Sequence, residues 1–506
     1  MTAKSRNLQV ILMLVVTTVL FASTYTYIFD KKLDLNGDNA NYYMLGKALA
    51  AGEGFVNTNS ITKSPNNHFP PGYPAIISGL ITVFGDSIVT IKLFNGLFLL
   101  ATLILLYFLI IKLTGRTSTT IIVMLLILLN SHLLRYSTMI MTEIPFLFFS
   151  TAGILTFLKI NVEKFSWKNP LLYTCLALLI IAFYIKTSGV ALIGGLILYL
   201  IILKRWKYVF FFSLSSILLA IPWQVRSQSL GGSSYVRQLL MVNPYRPEMG
   251  EADLGDIIDR FGNNVGRYIS KEIPSTVFPF YKPNYRETSS SLQIILGILL
   301  FSLIFYGLWK LEAFRWLIAA YMAGTFGILL LWPDVWVGVR FLLPAAPFLI
   351  LGLVNGIQSL INQLAPSRLS KSIIWLPILL TLPFLPLLKP LHEKAKTKAT
   401  ANWVNYFSLA KWANHNLNKN VVIACRKPTM FYLYSNTYTV NYKYTENEQE
   451  LINNLIDKQV DYVILDQLGY SSTSRYLLPA IQNNPEKFSL IEKRTNPDTY
   501  LLQLIK

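Results

Sequence analysis

The chain has 506 residues, of which 53% are hydrophobic and only 14% charged, with two cysteines and a formal net charge of +19. So apolar a composition over this length excludes a large soluble enzyme and points to a polytopic membrane protein with room for an extramembrane domain. The positive charge does not signal a nucleic-acid partner, because the lysines and arginines lie at the ends of connections rather than massed with aromatics on one soluble face; anionic lipid and membrane orientation account for them.

Apolar runs that cross, or nearly cross, a hydrocarbon layer about 30 Å thick follow one another along the chain, about eleven in all. They are residues 8–29, 88–111, 119–134, 144–158, 171–185, 189–203, 208–223, 292–309, 314–332, 341–360 and 373–388, the three between 119 and 185 being short. The first is longer than the core of a cleaved signal peptide, so it is expected to stay as a span. Lys4 and Arg6, Lys112 and Arg116, Lys159, Lys164 and Lys168, Lys204, Arg205 and Lys207, Lys310 and Arg315, and Arg368 and Lys371 fall at every second connection, with Glu163 and Glu312 nearly the only acids among them. The positive-inside rule makes those connections cytoplasmic. Segments 30–86, 132–143, 186–188, 224–291, 333–340 and everything after residue 388 are then external. The expected protein is a multi-pass one of the plasma (inner) membrane with its N-terminus in the cytoplasm. Cys175 falls in a span and Cys425 in the external tail, so no disulfide is implied.

The fold class that follows is an α-helical membrane domain, residues 1–390, with a small external α/β domain at 391–506. In the latter, helix-like stretches at 402–418, 447–458 and 475–483 alternate with strand-like runs at 421–425, 460–465, 488–491 and 500–505. It holds no glycine-rich phosphate loop and no metal-ligand spacing. The first external loop, 30–86, contains a helix-like run at 42–49 that suits the membrane interface. The second, 224–291, is long enough to be functional and carries a helical patch at 253–268.

Ionisable groups near lipid are expensive, so those at the mouths of the spans are the first candidates for chemistry. Asp38 precedes the interfacial helix and serves either as its cap or as a catalytic carboxylate. His68 and Tyr73 flank the rigid corner Pro70-Pro71-Gly72-Tyr73-Pro74, where each proline restricts its own φ and the residue before it. Glu143 opens the span at 144–158, either as a second acid in the same cavity or as a helix-start residue. Lys186 and Arg340 sit at external span ends, against the inside bias, and suit anion binding; the planar guanidinium is the better fork for a phosphate.

The order of Gly37-Asp38 with Tyr42-Tyr43, Gly52-Glu53-Gly54-Phe55, Pro70-Pro71-Gly72-Tyr73-Pro74, Thr142-Glu143-Ile144-Pro145-Phe146 and Arg340-Phe341-Leu342-Leu343-Pro344 resembles the GT-C type membrane glycosyltransferases of the protein O-mannosyltransferase and aminoarabinose transferase group. The resemblance implies transfer of a sugar from a polyprenyl-phosphate donor to a lipid, glycan or protein acceptor on the external face. It implies Asp38 as catalytic base and Glu143 as its support. The accompanying assignments are Arg340, Lys186 and His68 at the donor phosphate and Tyr42 and Tyr73 in the substrate cavity. Two departures stand out: Asn39 follows Asp38 where many members carry Asp-Glu, and His68-Phe69 stands where the aminoarabinose transferases have a lysine. No cofactor is indicated, and a divalent metal fits only if Asp38 and Glu143 meet. The alternative is a transporter or flippase for a polyprenyl-linked or small anionic substrate. It fits less well, because the ionisable groups gather at one face and no internal repeat is visible.

Overall fold

The computed structural model describes residues 3–35, 37–364 and 373–506; Arg368 and Lys371 of the expected last cytoplasmic connection lie outside the described residues. Among the described residues, Val10–Ile28, Ile88–Thr114, Trp206–Ser229, Ser291–Trp309 and Val339–Leu364 are long and apolar enough to cross a membrane. Shorter apolar helices, Gly72–Phe84, Glu143–Phe157, Pro170–Ile185, Thr187–Ile202 and Arg315–Leu331, pack among them. The chain is therefore a multi-pass helical membrane protein, and helix length alone does not fix how many crossings it makes.

Two apolar runs fold otherwise than their composition suggests. The run at 119–134 is not one helix: Thr117–Leu128 ends and Ser131–Ser137 begins at an angle of 57°. The side chain of Asn130 causes the break by accepting from the backbone N–H groups of His132 and Leu133, as an N-cap does. The run at 373–388 becomes a 3₁₀ helix, Leu376–Leu387, in which Pro377, Pro383 and Pro386 remove the amides an α-helix would need. Elsewhere the packing is tight. Ser291–Trp309 crosses Ala346–Leu364 at Gly307, where a Cβ would lie 1.8 Å from the carbonyl oxygen of Gly352, so only glycine permits that backbone approach.

At one end of the bundle sits a five-stranded sheet of order β2-β1-β3-β5-β4, where β1 is Val422–Ala424, β2 Tyr438–Val440, β3 Tyr462–Leu465, β4 Phe488–Arg494 and β5 Thr499–Leu504. β2, β1 and β3 are parallel, and β5 and β4 continue antiparallel. Side chains alternate between its faces as the pleat requires. Val422, Ala424, Val463 and Leu465 pack with the helix Glu448–Asp457 and the segment 473–483. Ile423, Cys425, Ile464 and Leu501 pack with Ala401–Asn416 and Pro428–Ser435. That second cluster also takes in Ala40 of the helix Gly37–Ala50, which seats the sheet layer directly on the first loop. The helix Pro428–Ser435 and strand β2 were not distinguished in the sequence, being too short for a periodic signal.

Candidate active site

Four elements converge on one ionic cluster. Asp38 lies in the first turn of Gly37–Ala50 and Glu143 in the first turn of Glu143–Phe157, so both carboxylates stand at helix N-termini, where the dipole favours negative charge. Lys186 caps the C-terminal end of Pro170–Ile185 in an extended conformation. Arg340 is the second residue of the 3₁₀ turn Val339–Ala345, which Gly338 precedes with a φ of 111° that suits glycine. The guanidinium of Arg340 joins the two acids, with Nη1 2.7 Å from Asp38 Oδ2 and Nε 2.7 Å from Glu143 Oε1. Lys186 Nζ lies 3.0 Å from the same Glu143 oxygen. The Glu143 side chain is 0% exposed, and its Oε2 has no hydrogen-bond partner. Asp38 and Glu143 are thus brought together through a guanidinium, and among the described residues no group of three or more His, Cys, Asp or Glu side chains assembles a metal site.

A cavity of about 1300 Å³ opens onto this cluster, lined by Asp38, Tyr42, His68, Lys186 and Arg340. Asn39, the departure from the Asp-Glu pattern, is fully buried, and its Oδ1 accepts from the backbone N–H of Ile140. It ties the first loop to the segment before Glu143. His68 stacks on Tyr235, with ring centroids 5.0 Å apart, and its Nδ1 is 3.0 Å from Ser234 Oγ. Burial pushes its imidazole below the ordinary value while Asp38 pulls the other way, which suits a neutral hydrogen-bonding group better than a cationic phosphate ligand. Tyr73 stands apart from its expected place. It lies one layer behind the wall, against Tyr42, and its hydroxyl donates to Asn95 Oδ1 at 3.0 Å, so its part is to support rather than to line the cavity.

The loop that presents Arg340 is held from the second long loop. The amphipathic helix Leu254–Arg267 starts at a capping box of Asp253 and Asp256 and carries Arg260, Asn264 and Arg267 on one face, at helical spacing. Arg260 donates to the carbonyls of Leu239 and Met241, and Asn264 Nδ2 to those of Leu330 and Trp332 at 2.9 and 2.8 Å. Arg267 reaches the Asp334 carbonyl and pairs with Glu272 at 2.9 Å. This row satisfies carbonyls left over where Arg315–Leu331 ends. The helical patch at 253–268 was legible in the sequence, but neither these three residues nor their partners were.

Sequence reasoning also missed the contribution of the sheet layer. Apart from Asp38, the charged side chains lining the cavity are cations, among them Arg135, Lys282, Arg426 and Lys427. The last two follow β1 after Cys425, beyond the strand's carboxyl end, a position that points to ligands in parallel sheets.

The model of the dolichyl-phosphate-mannose-protein mannosyltransferase family matches residues 67–228. Two crystal structures of ArnT from Cupriavidus metallidurans share the fold. The one bound to undecaprenyl phosphate superposes with a TM-score of 0.58 at 12% identity, covering 100% of this chain and 99% of that one. The apo state gives 0.56 at 11% identity, covering 99% and 98%. No curated protein sequence matches the chain. The family model thus spans under half of the chain, and the likeness to the two ArnT structures, at 12% and 11% identity, is a likeness of fold.

Proposed function

We propose that the protein transfers a sugar from a polyprenyl-phosphate donor to an acceptor hydroxyl or similar group on the external face of the plasma membrane, with inversion at the anomeric carbon. The observation that carries this reading is the cluster of Asp38, Arg340, Glu143 and Lys186 at one wall of a large cavity. The match to the mannosyltransferase model and the fold shared with an ArnT structure bound to undecaprenyl phosphate support the donor class. The charge pattern of the connections supports the external side and the cytoplasmic N-terminus.

The chemistry follows from the groups present. The leaving group is a phosphate monoester with a second pKa near 6, so it departs as a stable anion and needs no strong acid. As the acceptor oxygen attacks the anomeric carbon, its proton passes to Asp38, and the bond from that carbon to the phosphate oxygen breaks. Arg340 uses Nη1 on Asp38 and Nε on Glu143, which leaves donors of its fork for the departing phosphate. Charge building on that phosphate draws the guanidinium toward it and loosens its hold on Asp38 as the base is needed. Glu143 keeps the guanidinium in place through Nε, and Lys186, paired with the same carboxylate, adds positive charge toward the departing phosphate.

The test is a donor-dependent transfer assay on the purified protein with Asp38→Asn. General-base action contributes typically about 10² to 10⁴ fold, so turnover should fall by that order with folding intact. Near-normal turnover in the folded variant would rule out Asp38 as the base.

A further inference from the structure

The sheet layer offers a site that the transfer chemistry above does not use. In a parallel sheet, ligands bind outside the carboxyl ends of the strands at the point where successive helices leave on opposite faces. β1 and β3 meet that condition. The helix after β1, Pro428–Ser435, packs on the face that holds Ile423 and Ile464, whereas the segment after β3, residues 473–483, packs on the face that holds Val422 and Val463. The crevice between these two strand ends faces the cavity, to which it contributes Arg426, Lys427, Tyr444, Tyr470 and Ser471.

Its chemistry is that of an anion site. Arg426 lies over the rings of Tyr470 and Tyr444, at 4.4 and 5.5 Å, and Lys427 Nζ over Tyr470 at 4.5 Å. Among the described residues neither side chain makes a salt bridge or a hydrogen bond, and Arg426 Nε is buried without a partner. The helix Pro428–Ser435 opens beside them with no side-chain cap, so its N-terminal dipole adds to the positive field. Asp466, 3% exposed at the end of β3, is the opposing carboxylate; its Oδ1 accepts from the backbone N–H of Leu468 and its Oδ2 has no partner. Lys427 also abuts the backbone of Gly37, next to Asp38: a Cβ at Gly37 would come within 2.9 Å of its Nζ.

We infer that the crevice between the carboxyl ends of β1 and β3 binds an anionic group, a phosphate or carboxylate, carried by the acceptor, with Arg426 and Lys427 as its ligands. The inference rests on the transfer reading for the word acceptor, and on the sheet geometry for the site. Its place fits the task. Lys427 borders the backbone of Gly37, so a group it holds lies beside Asp38, the base proposed to take the acceptor's proton. Burial and Arg426 push Lys427 down to about 8, and a bound anion would relieve that cost.

The experiment measures equilibrium binding of inorganic phosphate to the full chain in phosphatidylcholine nanodiscs, with no donor present. Two phosphates per chain are expected for the wild type. Arg426→Gln with Lys427→Gln should weaken one of them at least about tenfold and leave the other. Arg340→Gln should do the reverse, and the charge-conserving pair Arg426→Lys with Lys427→Arg should retain both. An unchanged stoichiometry in the folded double glutamine variant overturns the site, as does a single wild-type phosphate that Arg340→Gln removes. Repeating the titration in phosphatidylglycerol nanodiscs separates the sources. Retention of the second phosphate supports an acceptor-borne anion, and its loss by competition overturns that assignment in favour of a lipid headgroup. Because no turnover is read, failure here leaves the transfer reading standing, and failure of the Asp38→Asn assay leaves this site standing.

Discussion

Replacing Arg340 by Met removes the cation that joins Asp38 to Glu143. Asp38 is 30% exposed and regains water, but the Glu143 side chain is 0% exposed and keeps only Lys186, at 3.0 Å. Breaking a buried ion pair from one side costs about 3 to 5 kcal/mol, and the remaining lysine and the partial exposure of Asp38 place this case at the lower end, about 3 kcal/mol. Glu143→Gln in the same chain removes the charge that would otherwise be stranded, so the double variant should be less damaged than the sum of the singles. The coupling expected is about 1 to 3 kcal/mol. Equilibrium unfolding by SDS titration in mixed micelles reads all four corners of the cycle. Losses that add within about 0.5 kcal/mol would refute the reasoning, because they would mean that the guanidinium and the buried carboxylate do not sense one another.

Three further outcomes follow from the same structure. Asn264→Leu strips two carbonyls, those of Leu330 and Trp332, of their donor; it should cost about 1 to 3 kcal/mol by the same titration and slow transfer by loosening the loop that presents Arg340. Gly307→Ala should cost at least about 1 to 3 kcal/mol, since its Cβ would fall 1.8 Å from the Gly352 carbonyl oxygen, and a normal unfolding midpoint would contradict the close crossing of the two helices. Asp466 is raised by burial from an ordinary value of 3.8 to about 6, so the folded chain binds more protons than the unfolded one between those values. Its contribution to stability is therefore fully present below about pH 4 and is lost as pH rises through about 6. Asp466→Asn should abolish that fall and raise the thermal midpoint above pH 6, as a pH series of melting curves would register.

The membrane class, the alternation of cationic connections and most helices were determined by composition and period alone, because a span must be apolar along its whole length whatever its neighbours are. The strand-like runs at 421–425 and 460–465 were equally legible, since burial on both faces leaves near-continuous apolar runs. Glu143, Lys186 and Arg340 stood out because each is an ionisable group at the end of an apolar run, and Asp38 because it opens a helix-like run in the first external loop and matches the family's pattern. What a linear pattern lacks is the distance between such ends. Only the tertiary structure put Arg340 between two carboxylates lying 302 and 197 residues away in the chain, withdrew Tyr73 behind Tyr42, and broke the expected span at Asn130. It also turned the pair Arg426 and Lys427, unremarkable after a short strand, toward the same cavity as Asp38. Local sequence specifies how a segment meets lipid or water; which charges meet one another is decided by packing between segments that are remote in sequence.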